Sequence, residues 1–355
     1  MPQLFSPLRL AGIEFRNRIG VAPMCQYSAQ DDGRATDWHL AHLASRAAGG
    51  AGLVIAEATA VEARGRISRR DLGLWDDTQI EPLARVVRAI TDQGAVAGLQ
   101  LAHAGRKAAM QVPWLGGGPL RRNDGGWEVV GPSATAFSET FPVPSELTRS
   151  ELGQVRDAFT HAAKRALQAG FGFLELHGAH GYLLHSFLSP LSNQRRDEYG
   201  GSFDNRIRFL LEVTRAVREV WPTDRVLALR VSATDWLAGG WTPEETVELA
   251  RRLEREGLDV LDCSSGGTSA AAVIPLEPGY QVGFAHAVKK ATKLATAAVG
   301  LITDPQHAND IVQAGAADLV LLGRELLRNP YWPLAAARSL QQEVRVPPQY
   351  QRAFA

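Results

Sequence analysis

The chain has 355 residues, 45% hydrophobic and 21% charged, with 38 Lys and Arg set against 38 Asp and Glu. That balance belongs to a folded globular protein and excludes a disordered, collagen-like or coiled-coil chain. With no net charge there is no drive toward nucleic acid or an anionic membrane, so the expected partner is a small molecule.

In chain order, the opening MPQLFSPLRL lacks a basic region followed by an apolar stretch and does not read as a signal peptide. The first strand is expected at 18–24 (RIGVAPM) and the second at 52–58 (GLVIAEA). The longest apolar runs, ending at Glu57 and Asp304, fall short of the roughly 18 residues that span a bilayer. A helical pattern with apolar residues at i, i+3 and i+4 fills 78–94, and a third strand follows at 95–102. The stretch from Met110 to Leu147 has no period and many Gly and Pro; it is read as an excursion capping the fold after strand three. A helix at 148–170 leads to strand four at 171–178, and strand five lies at 226–232. TPEETVELARRLEREG (242–257) shows a Thr cap, Pro in the first turn, early carboxylates and late arginines. Strands six, seven and eight are expected at 258–264, 298–303 and 317–323.

Near-continuous apolar strands alternating with amphipathic helices describe a parallel sheet covered on both faces. Eight such units with no linker between them predict a single (β/α)8 TIM barrel spanning 1–355. The alternative, an open doubly wound sheet, needs a Gly-rich phosphate loop after its first strand; PMCQYSAQ is not one. Two cysteines, Cys25 and Cys263, cannot make a disulfide framework and point to a reducing compartment, the cytoplasm.

Barrel active sites lie at the carboxyl ends of the strands. There the chain places Met24, Cys25 and Tyr27; Ala58 and Thr59; Gln100 and His103; His177, His180 and Tyr182; Arg230; Cys263 to Gly267; Gly300 and Thr303; and Gly323 with Arg324. Small residues on the last two strands followed by Arg324 suit a phosphate, because backbone N–H groups approach closely where Cβ is absent; ordinary turn glycines are the alternative. His177-x-x-His180 fits a metal pair, structural histidines, or two hydrogen-bond donors for one substrate oxygen with Tyr182 as proton donor. No Lys ends strand six, which disfavours a Schiff-base aldolase. Gln100 and Arg230 need hydrogen-bond partners, either a heterocycle in the site or an internal polar network.

The segments VAPMCQYSA, LQLAHAGRKA, LELHGAHGYLLHSFLSPLSNQRRDEYGGSFDNRIRF, RVSATDW, GLITDP and LLGRELLRNPYWP resemble the signatures of the Old Yellow Enzyme family, flavin-dependent ene-reductases, in its thermophilic-like bacterial subclass. The resemblance implies an FMN-containing barrel, the FMN non-covalent, that takes hydride from NADPH or NADH. It implies ping-pong delivery of that hydride to the β-carbon of an alkene activated by a carbonyl or nitro group. By resemblance, Pro23, Met24, Cys25, Ala58, Gln100 and Arg230 contact the flavin ring, and Gly300, Gly323 and Arg324 hold its phosphate. His177 and His180 bind the substrate carbonyl, Tyr182 protonates the α-carbon, Tyr27 lines the pocket, and no metal is used. In this subclass a tail Arg reaches a neighbouring subunit; here that residue is Arg352, in a segment (343–355) with Tyr350, Arg352 and Phe354 at alternate positions, expected to face one way in an extended chain. The resemblance implies a homo-oligomer built from dimers that share site residues; the alternative is that the two aromatics pin the tail onto its own barrel. Arg106 and Lys107 either contact substrate or steady the capping loop. The rival readings are a metal-dependent barrel hydrolase using His177, His180 and Cys263, and a non-catalytic flavin redox sensor acting through Cys25.

Overall fold

The computed structural model describes residues 3–354. Eight parallel strands, β1 (Ile19–Val21), β2 (Leu53–Ala60), β3 (Val96–Ala102), β4 (Phe173–Gly178), β5 (Val226–Ser232), β6 (Val260–Ser264), β7 (Ala295–Val299) and β8 (Leu319–Leu322), pair in sequence order and close into a barrel. The principal helices around it are α1 (Asp37–Ala48), α2 (Ile80–Thr91), α3 (Arg149–Ala169), α4 (Phe203–Val220), α5 (Pro243–Arg255), α6 (Val282–Ala291), α7 (Pro305–Gln313) and α8 (Trp332–Ser339). The fold is the expected (β/α)8 barrel, with the segment after β3 forming the excursion. That excursion holds short 3-10 turns and a two-stranded pair, Val130–Gly131 with Ser145–Glu146.

Side chains of a strand alternate between faces. On β5, Leu227, Leu229 and Val231 pack outward into the helix layer while Val226 and Ala228 fill the barrel. Each helix presents one stripe: in α2, Leu83, Val86, Val87 and Ile90 are buried. Burying one such side chain is worth about 1.5–3 kcal/mol. Helix starts follow their sequence signals. Thr148 with Glu151 and Thr242 with Glu245 form capping boxes at the heads of α3 and α5, and Gly170, at φ +96°, ends α3 in a conformation that suits a residue without Cβ.

Three expectations are corrected. The seventh strand runs Ala295–Val299 instead of 298–303, because Gly300 at φ +128° breaks the extended run and begins the loop above it. The first strand stops at Val21, two residues before Pro23, which has no N–H to continue a ladder. The tail is not extended: Pro348–Tyr350 is a 3-10 turn and Gln351–Phe354 a helical turn, so alternate residues point about 200° apart instead of sharing a face. The Tyr350 hydroxyl lies 3.1 Å from that of Tyr331.

An N-terminal hairpin, Leu8–Leu10 with Ile13–Phe15, was not anticipated. Its Leu8, Leu10, Ile13 and Phe15 close the amino end of the barrel against Leu53, Phe173, Val226 and Val260, with Phe15 edge-on to Phe173 at 6.4 Å. No helix among the described residues is long and apolar enough to cross a membrane.

Candidate active site

The carboxyl end of the barrel collects the polar residues that the amino end lacks. β4 turns Glu175 and His177 inward, then the chain makes a left-handed turn at His180 (φ +60°) and Gly181 (φ +74°) before the short helix Leu183–Leu188. The turn is held from three sides. His180 N–H donates to Ser232 Oγ at 2.9 Å, Gly181 N–H donates to His185 Nδ1 at 2.8 Å, and Lys107 Nζ donates to the His180 carbonyl at 2.9 Å and the Gly267 carbonyl at 3.1 Å. His185 is itself 3.2 Å from the buried Asp235. A β-carbon on Gly181 would meet the Gly267 carbonyl oxygen at 2.1 Å, so this position needs glycine for space as well as for conformation.

The imidazoles of His177 and His180 lie with ring centres 5.1 Å apart and planes perpendicular. His177 Nδ1 accepts from the Ala179 N–H at 3.3 Å, its Nε2 lies 3.4 Å from His180 Nδ1, and His180 Nε2 lies 2.8 Å from Ser264 Oγ. Burial first, then the nearby positive charge of Arg230, pushes the His177 pKa well below its usual value, and burial followed by His177 does the same to His180. Both rings are therefore neutral at physiological pH, each with one N–H to donate.

Tyr182 stands edge-on to His177 at 4.9 Å and shares an apolar cluster with Cys25, Tyr27 and Met110. Burial, reinforced by Cys25 and Tyr27, pushes its phenol pKa well up, so the hydroxyl keeps its proton. Its hydroxyl makes no hydrogen bond among the described residues. Lys107 Nζ lies 5.3 Å from the Tyr182 ring and 4.3 Å from that of Phe137 in the excursion. Arg106 donates to the Thr135, Ala136 and Thr268 carbonyls, which steadies the capping loop. Tyr27 sits at φ +49°, edge-on to Trp114 of the excursion at 6.0 Å.

Beside this centre a cavity of about 250 Å³ is lined by Ser264, Gln281, Gly300, Gly323 and Arg324. Gln281 is fixed by its amide, which accepts from Ser265 Oγ at 2.6 Å and donates to the Val299 carbonyl at 2.8 Å. A β-carbon at Gly300 would fall 2.9 Å from Tyr280 Cε1. Arg324 is exposed and makes no ion pair among the described residues. Pro23, Met24 and Cys25 follow β1, which pairs with β8, and Met24 Sδ is the atom nearest a β-carbon built on Gly323, at 3.6 Å. Gln100 and Ala58 are direct cross-strand neighbours; a bulge at Glu57 shifts the β2 register between Ala56 and Ala58.

A family model described as "NADH:flavin oxidoreductase / NADH oxidase family" matches residues 3–343. The chain belongs to this family, that of the Old Yellow Enzymes. A "NADPH dehydrogenase" of Geobacillus sp. (strain WCH70) is 47% identical over 352 residues, covering 99% of this chain and 98% of the relative. Among solved structures, morphinone reductase superposes with a TM-score of 0.81 at 28% identity, covering 98% of this chain and 92% of that one. An old yellow enzyme homologue from Zymomonas mobilis gives 0.81 at 27% identity, covering 97% and 94%.

The Old Yellow Enzyme chain is thus an oxidoreductase whose cofactor is FMN, and its residues fit that group. The cavity has the small residues and the unpaired cation that a phosphate requires, and the Gln100 amide oxygen and the Arg230 terminal nitrogens make no hydrogen bond among the described residues. Gln100 Nε2 does go to Glu175 Oε1 at 2.8 Å, and Arg230 Nε lies 2.8 Å from Asp262 Oδ2, so an internal network takes part of each side chain and leaves the rest to the site. The metal-hydrolase reading fails on geometry. Cys263 packs outward in the helix-facing core, one residue out of phase with the inward Ser264 and away from the two histidines, and among the described residues no three His, Cys, Asp or Glu side chains are grouped to hold a metal. His103 is structural, its Nε2 2.8 Å from Glu62. Arg352 is exposed on the terminal turn and makes no hydrogen bond or ion pair among the described residues. Ser232, Gln281 and the His185–Asp235 pair were missed, and Ser264 was placed at the mouth without a role. The two serines had one usable signal, each falling two residues beyond an inward charged residue, Arg230 and Asp262.

Proposed function

We propose that this chain is an ene-reductase that reduces alkenes conjugated to a carbonyl or nitro group, with NADPH, or NADH, as hydride donor. When bound, FMN supplies the hydride chemistry, accepting from the nicotinamide and delivering to the alkene β-carbon. The observation that carries the reading is the pair of neutral, adjacent imidazoles His177 and His180 with a fully protonated phenol, Tyr182, edge-on to one of them.

A substrate oxygen that inserts at the 3.4 Å contact between His177 Nε2 and His180 Nδ1 takes the His177 N–H as donor. A tautomer change at His180 brings its Nδ1–H to the same oxygen, with the Ser264 hydroxyl turning to donate to the freed Nε2. Donation to an oxygen on which enolate charge develops draws electrons from the β-carbon and stabilises the transition state more than the ground state. Tyr182 gives its proton to the α-carbon. Burial and its apolar neighbours hold that proton in place until negative charge arrives. Donor nicotinamide and alkene use the same opening in turn.

The comparisons add that curated relatives are named for NADPH and that a structural neighbour is named for reducing morphinone, a conjugated ketone. A sensor acting through Cys25 is disfavoured, because burial, followed by Asp71 and Glu57, pushes its thiol well up and the reactive species is the thiolate. Two free thiols suit a cytoplasmic setting. Arg352, unengaged among the described residues, is assigned to the site of a neighbouring copy in a dimer. The test is anaerobic rapid mixing of the reduced holoenzyme with 2-cyclohexen-1-one: fast flavin reoxidation with saturated ketone as product supports the reading. Reoxidation by oxygen alone, with none by the enone or a nitroalkene, overturns it.

A further inference from the structure

Below the histidines the barrel interior is layered. The lowest layer is apolar, Phe15, Leu53, Phe173, Val226 and Val260. The uppermost is His177, Ser232 and Ser264. Between them lie four polar side chains, Gln100, Glu175, Arg230 and Asp262, three of them ionisable and all nearly or fully buried. They come from neighbouring strands: Gln100 faces Glu175 across β3–β4, and Arg230 faces Asp262 across β5–β6.

The layer has more acceptors than donors. Glu175 Oε1 takes the Gln100 amide at 2.8 Å, and the Arg230 guanidinium approaches Asp262 at 2.8 Å. Glu175 Oε2 and both Asp262 oxygens are buried without a hydrogen bond among the described residues, and the charge of Asp262 acts on Glu175 to raise its pKa. Two carboxylates against one guanidinium would leave a net negative charge in a dry interior, which is costly. One proton between the acids neutralises the layer and gives Asp262 a donor.

We propose that Glu175 and Asp262 share one proton behind Gln100 and Arg230, and that this acid pair sets the charge against which bound FMN is reduced. The inference rests on FMN lying over Gln100 and Arg230. With the proton present, Asp262 offsets Arg230 and the floor of the site is neutral. With it gone, the floor is negative and resists the electrons that reduction brings. Burial, then Asp262, raises the Glu175 pKa to about 8, so the proton is held at neutral pH. Above that, reduction by two electrons draws one proton from solvent onto the pair in addition to any taken by the ring. The titratable groups facing the pair are Arg230 on β5 and, one layer up on its own strand, His177; the other strands contribute Ala22, Ile55, Ala297 and Leu321 to the interior, none of them charged. Glu175 and Asp262 are positioning and tuning residues, since neither is placed to touch substrate.

The experiment has two arms. Infrared spectroscopy of the flavin-free protein at neutral pH is expected to show the carbonyl stretch of a buried protonated carboxyl group, lost in Glu175→Gln. It is lost also in Asp262→Asn, where Glu175 becomes the sole carboxylate beside Arg230 and ionises. Spectroelectrochemistry of the holoenzyme is expected to show a midpoint potential that falls more steeply with pH above about 8 in the wild type. In Glu175→Gln, whose amide mimics the protonated acid, the line keeps one slope and meets the wild type at neutral pH. Absence of the infrared band, its persistence in Asp262→Asn, or superimposable potential–pH lines overturns the proposal. A protein that shows the band but takes up no flavin overturns the cofactor placement instead, so the two failures are distinguishable.

Discussion

The amino and carboxyl ends of this barrel are cut from the same eight strands, and they solve opposite problems. At the amino end the inward positions are Phe, Leu, Val and Ala, sealed by a hairpin, and the interior there is packing alone. At the carboxyl end the same inward register carries Arg230, His177, Ser232, Asp262 and Ser264, and the chain departs into left-handed positions at Tyr27, His180, Trp236 and Leu301. Non-glycine residues there are costly and persist where surrounding contacts enforce them. Ser232, His185 and Lys107 provide that enforcement at His180. The contrast teaches that stability is stored at one end and spent on positioned polar groups at the other, so mutations at the two ends should separate in what they damage.

The largest expected separation is Tyr182→Phe, which should slow flavin reoxidation by an enone by about 10²–10⁴-fold while reduction by NADPH and the melting temperature change little. Rapid-mixing kinetics read both half-reactions, and an unimpaired oxidative half-reaction assigns the proton elsewhere. At the other end, Phe173→Ala should cost about 3–5 kcal/mol in denaturant unfolding, leaving the loaded enzyme's turnover close to wild type. A variant that loses turnover in step with stability would mean the ends are not independent.

A smaller effect distinguishes the loops at the mouth by pH. Burial raises the Glu62 carboxyl, but its contacts with His103 at 2.8 Å and Arg64 at 2.6 Å outweigh this and hold it at about 2. A carboxyl whose folded pKa lies below its unfolded value of 4.5 stabilises the fold fully above that value and loses the contribution as pH falls toward 2. Glu62→Gln should therefore cost about 3 kcal/mol at neutral pH and nothing at the acid extreme; a constant difference across that range would refute it. Smallest is Thr148→Ala at the head of α3, where loss of the capping box should lower stability by about 1 kcal/mol with no kinetic consequence, checked by thermal melts beside an activity assay.

The strand bodies were legible because burial on both faces leaves an unbroken apolar run, and β5 at 226–232 is found where its residues predict. Strand seven was misplaced because LATAAVGLIT is apolar on both sides of its true end, and only Gly300's backbone conformation separates strand from loop. The hairpin was missed because three-residue strands carry too little pattern to be told from loop.

What the sequence by itself determined is the barrel, its helix caps and the identity of the mouth residues, since each rests on local signals: strand runs, Thr-x-x-Glu boxes, and polar residues where apolar strands stop. Which polar groups meet was decided by the tertiary structure. Gln100 lies 75 residues from Glu175, and His180 lies 84 from Ser264. The register of neighbouring strands alone makes Arg230 the partner of Asp262, turns Cys263 away, and puts a carboxylic acid pair beneath the site. Spacing along a chain carries no record of such meetings, because barrel closure fixes them through the pairing of whole strands.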